Sequence, residues 1–256
     1  MNWYKEYQTE WKEIIETVAR ELGRSEQMVE KDTIQSMFLF ELAKAELPFV
    51  FKGGTSLTKA YNLIDRFSED IDLSVNRRPM QSERVKSKEL IIEIAENLGL
   101  VLSNPEEIKS RYDYNKYVFK YESLFSVIPL EIIIETSYYQ SVYPVEKHVV
   151  GSFVGKFCLD RNIILPVSFE AAEVMMNVQS IERTFVDKVF AVCDYDKYKW
   201  IINLSGKEFD EAKDMDSEIQ ITRVLSFEEA RAWRKLSGDY VRNRQWNDIE
   251  VDIRII

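Results

Sequence analysis

The run KGGTSLTKAYNLIDRFSEDIDL at 52–73 constrains this chain most, because it sets a double-glycine turn one short helix away from a pair of aspartates. Pro48–Lys52 (PFVFK) reads as a buried β-strand, and Gly53-Gly54 break it. Thr55–Asn62 predicts a short helix opening on hydroxyls, and Asp70–Val75 (DIDLSV) returns as a strand. Strand side chains alternate, so Asp70 and Asp72 share one face and Ile71 takes the other. Two neighbouring carboxylates repel, and a divalent cation between them relieves the repulsion. Gly54, Thr55 and Ser56 offer backbone N–H groups and hydroxyls at a helix N-terminus, chemistry that suits phosphate. Either element alone is usually a plain turn or a solvated strand end; their joint placement on strand–turn–helix–loop–strand points to nucleotide chemistry. The pattern is not a Walker loop, since no glycine precedes Lys59 at the required place and no long helix follows.

GGTSLTKAY followed by RFSEDIDL resembles the AbiEii/AbiGii-type toxins, a group that includes the MenT toxins and belongs to the polymerase-beta-like nucleotidyltransferase superfamily. The resemblance runs over most of the chain. Glu30–Lys44 (EKDTIQSMFLFELAK) is similar to the helix leading into the family's first strand. Ile132–Val154 resembles the strand carrying the third acidic residue, and Ser180–Tyr195 (SIERTFVDKVFAVCDY) resembles the family's lysine motif. Ser205–Lys213 (SGKEFDEAK) looks like an altered form of a further motif, with Lys207-Glu208 and Glu211-Ala212 departing from it.

The resemblance implies an α+β fold: a polymerase-beta-like nucleotidyltransferase core, with a mixed sheet flanked by helices, and a mainly helical C-terminal lobe. It implies that Asp70 and Asp72 bind Mg²⁺ or Mn²⁺ bridging the phosphates of an NTP. Glu135 is then the third carboxylate. Glu131 has the same strand parity, so periodicity alone does not separate the two. Lys188 would contact the nucleotide phosphates, as a point-charge ammonium can, and Asp210 would stand at the later aspartate. Gly53, Gly54, Thr55, Ser56 and Lys59 form the expected phosphate side. Arg66 and Ser68 precede the aspartates in a loop, Arg66 to neutralise phosphate or pin Asp70 and Ser68 as a point of modification.

At 256 residues the chain is long enough to bury a sizeable core. The start, MNWYKEYQTEWKE, is too charged for a signal peptide, no apolar run approaches membrane-spanning length, and a cytoplasmic setting follows. Cys158 and Cys193 stand apart, which suits reduced thiols. A single histidine, His148, argues against multi-histidine zinc sites and Ser–His or Cys–His catalysis. The net charge of −10 opposes a polyanion on average, although Arg77-Arg78, Lys109–Arg111 and Arg231–Arg244 are local basic clusters.

Apolar spacing predicts helices over Trp11–Leu22, Ser25–Lys44 and Ser82–Asn97, with Gly23 and Gly99 as stops. Tyr114–Tyr121 and Val127–Glu135 read as strands, and Val149–Leu159 as a strand or long loop. The pattern turns helical from about Phe169, giving an expected core over 1–168 and a helical lobe over 169–256. The expected reaction transfers a nucleotide monophosphate from an NTP to an acceptor hydroxyl. By resemblance the acceptor is RNA, at the 3′ end of tRNA, and the protein is the toxin of a toxin–antitoxin or phage-defence pair with a cognate antitoxin. The alternatives are a transferase acting on a protein or small molecule, and a nucleotide-binding module without turnover.

Overall fold

A computed structural model of the chain describes residues 7–45, 47–63, 70–141, 144–163, 173–185 and 187. The chain divides into two compact units, Met1–Ser180 and Ile181–Ile256. Of the second, residues 181–185 are helical.

The first unit opens with two helices. α1 (Gln8–Leu22) buries Trp11, Ile15, Val18 and Ala19 along one stripe. It ends at Gly23, whose φ of 63° is the left-handed conformation that a residue without Cβ adopts at little cost. α2 (Glu26–Ala43) starts where the Ser25 hydroxyl accepts the Met28 N–H at 3.3 Å. This helix is buried nearly all round, polar residues included. Glu30 is 0% exposed and accepts hydrogen bonds from Ser123 Oγ at 2.5 Å and the Leu124 N–H at 2.8 Å, so a carboxylate of α2 anchors a distant hairpin.

The rest of the unit is β1 (Phe49–Lys52), α3 (Gly53–Lys59), β2 (Asp70–Val75), α4 (Gln81–Asn97), β3 (Val101–Leu102), β4 (Tyr114–Tyr121), β5 (Leu130–Ser141), β6 (Val145–Gly151), α5 (Phe153–Arg161) and β7 (Glu173–Gln179). The strands form one mixed sheet in the order β3-β4-β5-β2-β1-β7-β6. β2 and β5 run parallel, as do β1 and β7, and the remaining neighbours are antiparallel. One face is the core, where Phe51, Ile71, Leu73, Tyr117, Phe119, Ile132, Ile134 and Val178 are all but fully buried. Cys158 is a free, buried thiol, and burial raises its pKa.

Two segments depart from the pattern read in the sequence. Val149–Leu159 splits into the end of β6 and the start of α5, because Ser152 caps a helix by accepting the Gly155 N–H at 2.8 Å. The stretch after Phe169 contains β7, so the boundary expected near 168 falls before the sheet is complete. The first unit ends at Ser180. EVMMNVQ has the methionine content of a helix, yet pairing with β1 and β6 holds it extended.

Candidate active site

The site is built on the middle of the sheet. β1 and β2 pair with Lys52 opposite Asp72, and β2 and β5 pair with Asp70 opposite Ile133 and Asp72 opposite Glu135. Paired residues point to the same side of a sheet, so Asp70, Asp72 and Glu135 share the face opposite the core. Glu131 shares that face too, but it lies four residues back along β5 and pairs with Lys120 of β4, with 3.9 Å between their charged atoms. At ~3.3 Å per residue it stands about 13 Å from Glu135. The register thus separates two glutamates that parity leaves equivalent.

Gly53 opens α3 directly beneath these carboxylates. Its φ is 79°, and a Cβ added there would meet Asp72 Oδ2 at 2.1 Å. Glycine is required twice over, by conformation and by space. The Thr55 hydroxyl donates to the carbonyl of Asp70, tying the first turn of α3 to the start of β2. Ser56 donates to the Gly53 carbonyl at 2.8 Å. Thr55 therefore holds the turn against the aspartate strand, and Ser56 closes the turn on itself.

Lys59 is a correction to the sequence reading. Its ammonium donates to the Asp32 carbonyl at 2.9 Å, Asp32 Oδ1 at 2.5 Å and Ser36 Oγ at 2.7 Å, and its side chain is 2% exposed. All three protons are engaged, so it is a structural tie between α3 and α2 and has no donor left for phosphate. Burial pulls its pKa below the usual lysine value, and the charge of Asp32 opposes that shift. The other Asp32 oxygen accepts the Phe153 N–H at 2.8 Å, so one carboxylate joins α2, α3 and α5.

Three residues at the site escape a reading by motif. Tyr114 and Lys116 lie on β4, and Lys116 pairs with Glu135, 3.6 Å from ammonium to carboxylate. Tyr114 faces Glu135 from β4, and its hydroxyl pKa is raised well above the tyrosine range, first by burial, then by Glu135, Asp72 and Asp70. One phenol thus feels all three carboxylates. Lys52, opposite Asp72, is the third. The only signal for any of them is alternation along a strand, which names no neighbour until the register is known. Arg66, Ser68, Lys188 and Asp210 lie outside the described residues.

Among the described residues no three Asp, Glu, His or Cys side chains form a ready-made metal cage. Mg²⁺ commonly takes one or two carboxylates and completes its shell with substrate phosphates and water. An oxygen-only set on adjacent strands, with Gly53 making room for the Asp72 carboxylate, fits such an ion.

A double-glycine turn against a D-x-D strand, with a glutamate on the parallel neighbour, defines a nucleotidyltransferase-like core. The family of the nucleotidyl transferase AbiEii toxin, of type IV toxin–antitoxin systems, matches residues 37–214, and the chain belongs to that family. It is accordingly a nucleotidyltransferase, and a toxin–antitoxin family implies an antitoxin partner and a nucleotide substrate. Two Helicobacter pylori crystal structures are similar to it. A candidate nucleotidyltransferase is 18% identical over 88% of this chain and 85% of its own, with a TM-score of 0.42. The JHP933 protein is 16% identical over 86% of this chain and 99% of its own, also with a TM-score of 0.42. Among curated proteins none matches the chain. Among the described residues no helix is long and apolar enough to cross a membrane.

Proposed function

We propose that this chain is a metal-dependent toxin that transfers a nucleotide monophosphate from an NTP to the 3′ end of an RNA, tRNA first among the acceptors, in the cytoplasm and within a toxin–antitoxin pair that serves phage defence. The observation carrying this reading is the register that sets Glu135 beside Asp72, on the face shared with Asp70. Asp70, Asp72 and Glu135 hold Mg²⁺ or Mn²⁺, which neutralises triphosphate charge when bound. Gly53, Gly54, Thr55 and Ser56 form the turn against which the triphosphate lies. The acceptor hydroxyl oxygen bonds to the α-phosphorus, the bond between the α- and β-phosphates breaks, and pyrophosphate leaves. The hydroxyl proton passes to one of the site carboxylates. Tyr114 and Lys116 orient Glu135 from the neighbouring strand.

For Lys188 and Asp210 the support is the family resemblance alone, and the phosphate-contact and aspartate roles it implies are kept for them. Arg66 and Ser68 keep theirs on the same ground. The stretch from Ile181 onward is taken as the helical lobe.

The test is incubation of purified protein with Mg²⁺, each labelled NTP in turn and total RNA. Label on tRNA, lost on chelation and in Asp70→Asn and Asp72→Asn, is the expected result. Label on protein or on a small molecule redirects the reading to another acceptor.

A further inference from the structure

A cavity of about 430 Å³ lies where the end of α3, the edge strand β6, the start of α5 and β7 meet. Lys147 and Lys156 reach it, with His148 as one wall and Glu173 on the rim. The His148 ring packs on Tyr61 at 4.2 Å between centroids and bonds Glu146 at 2.9 Å, so it is fixed in place. Asp32 and Lys59 also line the cavity, but they neutralise each other. Lys147 and Lys156 are exposed and, among the described residues, have no acidic group within ion-pair reach. Against the single carboxylate of Glu173, the two ammonium groups leave the cavity net positive in a chain of net charge −10 with 44 acidic residues, which suits an anion.

The register relates this cavity to the carboxylates. Phe51 pairs with Val178, so Asn177 falls on the face of Lys52 and Asp72, and Lys147 pairs with Asn177. Lys147 therefore shares the carboxylates' face, three strands from Asp72, or about 14 Å across and roughly 16 Å in all. That is too far for the phosphates of an NTP whose α-phosphorus reacts beside Asp72. It suits a strand whose 3′ end lies there: at ~3.4 Å per stacked nucleotide the span is about five nucleotides.

We propose that Lys147 and Lys156 form a subsite for a backbone phosphodiester of the acceptor strand, a few nucleotides before its reacting 3′ hydroxyl. The inference rests on the acceptor being RNA. The test measures binding of a fluorescent tRNA acceptor-stem RNA, without NTP, across 50–200 mM salt, for wild type, Lys147→Glu/Lys156→Glu and the single glutamine variants. NTP affinity and melting temperature are measured alongside. The expected result is a tenfold or greater loss of RNA affinity in the double variant with NTP affinity unchanged. Each glutamine variant lowers the slope of log affinity against log salt by about 0.7–0.9. Unchanged RNA affinity and slope, an equal loss of NTP affinity, or no RNA binding by wild type overturns the subsite. If wild type binds RNA through these lysines yet labels none, the subsite stands and the transfer reading falls. If it labels RNA and charge reversal changes nothing, the transfer reading stands and the subsite falls.

Discussion

Gly53 concentrates the residue-scale physics of this protein. It joins a φ of 79° to a close approach by the Asp72 carboxylate, so its lack of a Cβ serves both backbone and site. Gly53→Ala should cost about 1–2 kcal/mol from the left-handed backbone alone. It should also displace Asp72 and lower transfer activity at least tenfold. A melting curve and a labelled-NTP assay check this together, and a variant with wild-type values in both removes the argument. Motif reading singled out Gly53 for the turn and put Lys59 on the phosphate side. A lysine one turn along a short helix has the right distance in sequence to reach phosphate; only the buried Asp32 and Ser36 reveal where its protons go.

At the scale of elements, the pairing of β2 with β5 decides which glutamate joins the aspartates. Glu135→Gln should abolish transfer while Glu131→Gln retains at least half of it, because Glu131 sits beside Lys120 away from Asp72. The reverse outcome in a transfer assay would mean that the strands are shifted. The start of α4 offers a separate check. Glu83 accepts two hydrogen bonds from Arg77, at 2.9 and 2.6 Å, and the Met80 N–H at 2.8 Å. These contacts, Arg77 first, lower its pKa from 4.5 to about 2. A depressed carboxyl pKa stabilises the fold above pH 4.5, and that contribution fades as pH falls toward 2. Glu83→Gln should therefore narrow the gap in melting temperature between pH 6 and pH 3. An equal acid loss in wild type and variant would show that the contact does not form in solution.

For the whole molecule, the Asp32–Lys59 pair acts as a hub joining α2, α3 and α5 around the sheet. Removing one partner leaves a buried charge uncompensated, so Asp32→Ala should cost about 3–5 kcal/mol. Asp32→Leu/Lys59→Met should lose less than the two single changes summed, because neither charge is then stranded. Urea unfolding of the full chain measures both, and strictly additive losses would show that the pair is not coupled. Much of this architecture was legible locally. The glycine turn, the alternation of DIDLSV and the capped helices of Gln8–Leu22 and Glu26–Ala43 are short-range effects of backbone conformation and spacing, and residues a few positions apart suffice to specify them. The glycine turn and DIDLSV lie within residues 37–214, which the family matches. Strand register, the extended state of EVMMNVQ, the capture of Lys59 by Asp32 and the arrival of Tyr114 and Lys116 beside Glu135 were decided by tertiary structure. Each depends on which distant segment supplies the hydrogen-bond partner or counter-charge, and no local pattern carries that information.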